Sequence, residues 1–257
     1  MATATFLCCA LVSACASFRA DRIPAGPPLY DASLAQFERG KWSNAIQGFE
    51  RLTLELPARD SLLPRSHYYL GMARRRNGEQ LLAAQSFTRL VSTFPADTLS
   101  DDALFEAGAA YADLWRKPEL DPQYGESALD AFRTLLSEYP TSPRAADAQR
   151  EIDALQEMRA GKDYETGDFY FRRRLYDSAI IYFLDVVERF PETRAARAAS
   201  LRMLEAYRRI NYAEEAREVC ASLRTRYPDD REVQGACPAE APPPAAVAPA
   251  AGTPPPG

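Results

Sequence analysis

Histidine and lysine are scarce in this chain of 257 residues. His67 is the only histidine, and lysine occurs only as Lys41, Lys117 and Lys162. A single imidazole excludes most zinc sites and most catalytic triads that depend on histidine. The formal net charge of −5 leaves no basic excess to neutralise phosphates, so the sequence predicts no nucleic-acid partner.

Motifs of catalysis and cofactor binding are also missing. The sequence has no glycine-rich phosphate loop, no metal-ligand spacing and no nucleophile elbow. Its Asp and Glu residues stand at helical spacing on faces that should be solvated, and His67 falls at a packing position. We therefore predict a protein that is not an enzyme and has no cofactor except a covalent lipid.

The chain begins with an apolar run that is too short to span a bilayer. Residues 2–12 have the length of the hydrophobic region of a signal peptide. The pentapeptide LVSAC, which ends at Cys15, resembles a bacterial lipobox, in which the cysteine is acylated and becomes the first residue after cleavage. We predict a signal peptide over residues 1–14, a lipid on Cys15, and a lipidated N-terminus and linker over residues 15–27. An ordinary cleavage site with incidental cysteines is the alternative.

Five segments of the chain share one helical signature. In each, an alanine is followed after four residues by an aromatic residue, after three more by an aliphatic residue, and after four more by a large apolar residue that precedes a proline. This spacing keeps the side chains on one stripe of an α-helix, and the proline ends the helix. The segments span residues 45–57, 83–95, 128–140, 179–191 and 216–228, the last with Cys220 at the aromatic position.

A helix upstream of each segment would complete a tetratricopeptide (TPR) repeat. Gly71 and Gly78 precede the second segment at the offsets of that motif, where Gly71 allows close approach of two helices and Gly78 forms the turn. We predict an all-α, TPR-like α-solenoid of five antiparallel helix pairs. Repeats 1–3 occupy residues 28–140, repeats 4–5 occupy residues 141–230, and residues 231–257 form a disordered tail rich in Pro and Ala.

Two further expectations concern the C-terminal repeats. A long helix should run from about residue 142 to 174, with Gly161 and Gly167 as weak points that each cost about 1 kcal/mol relative to Ala. Cys220 and Cys237 allow either a disulfide or, for Cys220, the role of a small hydrophobic residue.

The first helices of TPR repeats line a concave surface, which predicts a peptide-binding groove. An apolar wall with one guanidinium there suits an extended peptide that has aromatic side chains and a C-terminal carboxylate. Ordinary packing between repeats is the alternative for each residue. The predicted groove consists of Tyr30, Leu34 and Phe37 from repeat 1, Tyr68, Met72 and Arg75 from repeat 2, and Phe105 from repeat 3.

Several of these features together resemble one family. The lipobox, the five helix pairs, the DPQ sequence at residues 121–123 and the segments at 132–142 and 190–193 resemble the BamD family of outer-membrane β-barrel assembly lipoproteins. The resemblance implies a periplasmic scaffold that binds the POTRA region of a BamA-like barrel subunit through its C-terminal repeats and acts with other assembly lipoproteins. It also implies that the N-terminal repeats receive unfolded outer-membrane proteins. Ala16 follows the predicted anchor, and by resemblance to lipoprotein sorting rules the absence of Asp at this position favours the outer membrane. Another periplasmic TPR adaptor, acting in envelope or division processes, is the alternative.

A run of three arginines ends the predicted long helix. Arg172, Arg173 and Arg174 meet the negative end of the helix macrodipole, which is one explanation for them. Contact with an acidic partner is the other, because the family uses these repeats for its barrel-subunit partner. Tyr182 stands, with Ile181, where family members often have an Asn-Arg pair, and we assign it to the same partner-binding surface.

Overall fold

The computed structural model describes residues 18–116 and 122–238. Regular structure in these two ranges is helical throughout, with a short 3-10 helix at Ala20–Arg22 followed by α-helices. The α-helices are α1 Pro27–Glu38, α2 Trp42–Glu55, α3 Leu62–Arg76, α4 Gln80–Thr93, α5 Ser100–Leu114, α6 Gln123–Glu138, α7 Ala145–Arg172, α8 Tyr176–Arg189, α9 Arg194–Arg209, α10 Ala213–Arg226 and α11 Arg231–Ala236. The predicted fold class, a TPR-like array of five antiparallel helix pairs, is confirmed.

The chain divides into two compact units, Met1–Leu155 and Gln156–Gly257, which we call unit 1 and unit 2. The division falls within α7, whose 28 residues begin at Ala145 in unit 1 and end at Arg172 in unit 2. The predicted boundary between repeats 3 and 4, at residues 140 and 141, stays a prediction. Within the described ranges, none of the helices combines the length and the apolar character that a membrane span requires.

The predicted stripe of the second helices forms the core of each repeat. In the first four pairs its alanine, aromatic and aliphatic positions have no exposed surface. In the fifth pair Ala216, Cys220 and Leu223 are exposed by 9% or less. Burial of one stripe on each second helix is what the 4-3-4 spacing predicted.

Unit 1 packs two phenylalanines of the stripe, Phe87 and Phe132, against a glycine of the preceding helix. A Cβ atom on Gly71 would lie 2.6 Å from the ring of Phe87, and one on Gly108 would lie 2.7 Å from the ring of Phe132. These distances are shorter than a carbon–carbon contact allows. The predicted role of Gly71 in the close approach of two helices is therefore confirmed, and Gly108 has the same role in the next pair.

The two glycines of α7 differ in their surroundings. A Cβ atom on Gly167 would lie 2.6 Å from the ring of Phe183, whereas a Cβ atom on Gly161 would have no neighbour within 4 Å. The prediction that both are merely weak points of the helix is wrong for Gly167, because the Phe183 ring needs the space that a side chain would fill.

The last repeat ends in a disulfide and a short additional helix. Cys220 of α10 is bonded to Cys237, which settles the choice between a disulfide and a small hydrophobic residue. The helix between them, α11, buries Val233 completely. The Asp230 side chain caps α11 by accepting from the backbone N–H groups of Glu232 and Val233. The predicted tail thus begins too early, since residues 231–238 are packed onto α10, while residues 239–257 lie outside the described ranges.

The start of the described chain is attached to the second helix of the first pair. Arg51 of α2 donates to the backbone carbonyls of Ala20 and Ile23, the latter at 2.6 Å. Part of the segment predicted as a linker is therefore held against unit 1. Cys15 and the predicted signal peptide lie outside the described ranges.

Four turns between paired helices pass through a residue in the left-handed region. These residues are Gly40, Gly78, Arg174 and Asn211, with φ of 72°, 85°, 62° and 61°. At each turn the next backbone N–H donates to the carbonyl five residues earlier, for example from Leu175 to Tyr170 at 3.1 Å, as in a Schellman motif. The left-handed conformation costs about 1–2 kcal/mol for an ordinary L-residue, although glycine and asparagine adopt it more easily.

Candidate functional site

The three groove residues predicted from repeat 1 belong to its core. Tyr30 is only 8% exposed and contacts the ring of Phe49 edge-on at 5.8 Å. Leu34 and Phe37 are half-buried against the same cluster. The ring of Tyr69 from α3 fills the space between them, at 6.3 Å from Tyr30 and 5.5 Å from Phe37. The prediction that Tyr30 lines an open groove is therefore wrong, because Tyr69 covers it.

Tyr68 and Phe105 occupy a partly exposed surface on the first helices of repeats 2 and 3. Burial, together with the carboxylates of Glu106 and Asp102, raises the pKa of Tyr68 to about 12, so its hydroxyl stays protonated. The guanidinium of Arg144 lies 4.9 Å from the centroid of the Phe105 ring and donates from Nε to Asp102 Oδ1 at 2.6 Å. This surface thus combines an aromatic ring with a hydroxyl that can donate a hydrogen bond.

Arg75 does not offer a free guanidinium. It donates to Glu106, whose side chain is 10% exposed, and to Asp113 Oδ2 at 3.3 Å. A peptide carboxylate would have to compete with these two protein carboxylates. The predicted use of Arg75 as a carboxylate clamp is therefore wrong. Met72, the remaining predicted residue, is half-buried against the apolar cluster of α4 and α5.

Four of the predicted groove residues lie around the carboxylates of Glu106 and Asp102. They are Tyr68, Met72, Arg75 and Phe105. We call these four residues, together with Arg144, the first-helix surface. The repeat 1 residues are separate from it. Sequence reasoning missed Arg144 and Glu106, which lie 42 and 31 residues from their ion-pair partners. No local pattern predicts which charges meet across such separations.

Unit 2 has an exposed cluster of aromatic and basic residues at the turn between α7 and α8. Phe169 is 43% exposed, Leu175 is 50% exposed and Tyr182 is 36% exposed. The guanidinium of Arg173 lies 3.5 Å from the centroid of the Phe169 ring. We call Phe169, Arg173, Arg174, Leu175 and Tyr182 the α7–α8 patch.

Two ring contacts hold this patch together. The ring of Tyr170 stacks on Tyr182 with centroids 5.3 Å apart, and it meets Phe169 edge-on at 5.4 Å. The neighbouring Ile181 is 68% exposed. The sequence analysis had assigned Tyr182 but not Phe169 or Tyr170. The available signal was the run of three aromatic residues immediately before the arginines.

The three consecutive arginines have three different environments. Arg172 pairs with Asp168 at 3.1 Å, with its Nε facing Oδ2. Arg173 lies on the Phe169 ring. Arg174 is exposed, and its side chain has no hydrogen bond or ion pair to any residue that the structure describes. Only Arg174 therefore presents an uncommitted charge.

The single histidine lies in a cleft of unit 1 that is lined by residues of α2, α3 and α4. His67 of α3 is half-buried in a cleft of roughly 630 Å³, whose lining includes Leu63, Phe94 and Arg89. Burial, followed by the charges of Arg89 and Arg74, lowers the pKa of His67 to about 4, so the imidazole is neutral at pH 7. Within residues 18–116 and 122–238, no group of three or more His, Cys, Asp or Glu residues is arranged to hold a metal ion.

Comparison with known proteins identifies related sequences over most of the chain. Residues 26–223 match the YfiO family, described as an outer membrane lipoprotein. The outer membrane protein assembly factor BamD of Vibrio cholerae is 30% identical over 202 residues, covering 74% of this chain and 83% of that protein. The BamD of Caulobacter vibrioides is 28% identical over 203 residues, covering 79% of this chain and 66% of that protein, slightly less than two thirds of its length.

Two solved structures are similar over a comparable stretch. The TPR domain of P58(IPK) aligns with a TM-score of 0.42 and 15% identity, covering 81% of this chain and 53% of that one. The MamA protein aligns with a TM-score of 0.39 and 16% identity, covering 84% and 96%.

Proposed function

Because this chain belongs to the YfiO family of outer membrane lipoproteins, we propose that it is a non-enzymatic assembly factor for outer-membrane proteins, held at the periplasmic face by a lipid on Cys15. Relatives at 28% and 30% identity carry the name outer membrane protein assembly factor BamD. An array of stacked helix pairs is suited to this role, because each repeat adds surface for binding other polypeptides.

Unit 2 binds the POTRA region of a BamA-like barrel subunit through the α7–α8 patch. The observation that carries this proposal is the exposure of Phe169, Leu175 and Tyr182 beside arginines. Aromatic residues and arginine are the side chains that most often dominate the energy of protein interfaces. Other assembly lipoproteins would bind elsewhere on the same scaffold.

Unit 1 receives unfolded outer-membrane polypeptides at the first-helix surface. The protonated hydroxyl of Tyr68 can donate to a peptide carbonyl, and the ring of Phe105 under Arg144 offers an apolar contact for a side chain. Arg75, being paired with Glu106, positions this surface and does not bind a chain terminus.

Two double variants distinguish the proposed surfaces. Phe169→Ala with Tyr182→Ala should weaken binding of the purified POTRA region at least about tenfold, which corresponds to ~1.4 kcal/mol. Tyr68→Ala with Phe105→Ala should leave that affinity unchanged. Isothermal titration calorimetry on the full mature chain measures both, and circular dichroism checks that the variants fold.

The reciprocal measurement uses a urea-denatured outer-membrane β-barrel protein diluted into buffer with each variant. Tyr68→Ala with Phe105→Ala should reduce the amount of client kept soluble, whereas the α7–α8 variant should retain wild-type capture. Equal losses in both variants would contradict the division of roles between the units. For the anchor, globomycin, which blocks the lipoprotein signal peptidase, should leave a larger precursor that keeps residues 1–14. No size shift would contradict the lipid on Cys15.

A further inference from the structure

Arg174 occupies a backbone position that favours other residues. The equivalent turns of the first, second and fifth helix pairs use Gly40, Gly78 and Asn211, all of which adopt the left-handed region at low cost. At φ of 62°, Arg174 has the same conformation with a long side chain. The turn itself is closed by backbone hydrogen bonds that glycine would make equally well. The local structure therefore does not explain the arginine.

Interactions within unit 2 do not explain it either. The carboxylate of Asp168 is already engaged by Arg172 and Arg202, at 3.1 and 3.5 Å. Arg172 in the last turn of α7 and Arg173 directly after it already oppose the negative end of the helix macrodipole. The Arg174 guanidinium has no partner among the residues that the structure describes. A strained residue without an internal contact points to a contact outside the molecule.

The surroundings of Arg174 indicate the chemistry of that contact. It stands between Arg173, which covers the Phe169 ring, and Leu175, which is half exposed. A partner that covers these apolar side chains also removes water from the adjacent guanidinium, and a carboxylate can then accept two parallel hydrogen bonds from it. Lysine would supply charge but not this planar pair of donors.

We infer that Arg174 is the charged anchor of the α7–α8 patch and that it binds an Asp or Glu carboxylate on the partner's surface, next to an apolar side chain that covers Phe169 and Leu175. This inference rests on the proposed function of unit 2, and it adds the residue and the partner chemistry that determine the contact.

The test compares three variants of the full mature chain, purified in detergent, with the POTRA region of the same organism's barrel subunit as the probe. Arg174→Gly should weaken binding about tenfold and leave the thermal midpoint equal to or above that of the wild type. The affinity of Arg174→Lys should lie between that of the wild type and that of Arg174→Gly. Asn211→Gly is the matched control, since it places glycine at the corresponding left-handed position of the next turn. It should alter neither binding nor the thermal midpoint.

Salt dependence provides a second readout. Raising the ionic strength should weaken binding of the wild type more than that of Arg174→Gly, because only the wild type loses an ion pair to screening. Equal affinities of the wild type and Arg174→Gly would overturn the anchor while leaving the proposed partner in place. A lower thermal midpoint for Arg174→Gly would also overturn it, by showing that the arginine holds the turn. Absence of any binding by the wild type would overturn the proposed function of the patch, and this inference with it.

Discussion

Unit 1 and unit 2 share a way of packing and differ in what their surfaces leave unpaired. Both place a glycine against the phenylalanine of the following helix, Gly108 with Phe132 in one and Gly167 with Phe183 in the other. On the first helices of unit 1, the guanidinium of Arg75 is paired with carboxylates of the same unit. In unit 2, the guanidinium of Arg174 has no partner among the residues that the structure describes. Repeat packing thus fixes the core but places little constraint on the outward side chains, which is where binding specificity should be sought.

The units also differ in covalent reinforcement, which gives the largest expected effect. Replacement of Cys220 and Cys237 by serine should lower the stability of unit 2 by about 3 kcal/mol, because the disulfide closes a loop with a sequence separation of 17. Hydrogen exchange measured by mass spectrometry should show faster exchange in α10 and α11. Amides of α2 and α3 in unit 1 serve as the internal control. An equal increase in their exchange rates would contradict the expectation that the disulfide stabilises unit 2 alone.

The shared glycine contact predicts equal effects in the two units. Gly108→Ala and Gly167→Ala should each lower the free energy of unfolding by about 1–3 kcal/mol, because the new methyl group collides with a phenylalanine ring. Gly161→Ala is the control on the same helix as Gly167, and it should raise stability by up to about 1 kcal/mol, since its surroundings are open. Urea unfolding measures all three variants. A stabilising Gly167→Ala would show that the ring moves aside.

The smallest effect concerns pH and belongs to unit 1 alone, because it contains the only histidine. The pKa of His67 is lowered from 6.5 to about 4 on folding, so the unfolded chain binds more protons between these values. The stability due to the neutral imidazole is complete above pH 6.5 and is lost as the pH falls toward about 4. Urea midpoints of the wild type should therefore drop more between pH 7 and pH 5 than those of His67→Gln. An equal drop in urea midpoint for the wild type and His67→Gln would refute the lowered pKa of His67.

Local periodicity explains why the helices were predictable. The stripe of alanine, aromatic and aliphatic residues depends only on spacing within one helix, and those positions are buried in all five repeats. The function of Gly71 was likewise visible from its place relative to Phe87, since paired helices keep a fixed offset. These features need no knowledge of distant parts of the chain.

The errors came from contacts between distant residues. Tyr30 is buried because Tyr69 covers it, and Arg75 is neutralised because Glu106 lies opposite, 31 residues away. The helix α11 was missed because six residues beside a Pro/Ala-rich stretch give a weak helical pattern. Its position depends on the bond from Cys237 to Cys220. The exposed rings of the α7–α8 patch needed the structure, since burial decides which aromatic residues remain available.

The attachment of Ala20 and Ile23 to Arg51 limits how far unit 1 can move from its anchor. With the proposed lipid on Cys15, five residue steps separate the acylated atom from the first held carbonyl, and a fully extended chain of that length reaches about 18 Å at most. The first repeat would then work within a short tether's distance of the lipid headgroups, where a polypeptide leaving it has little aqueous space to cross before it reaches the bilayer.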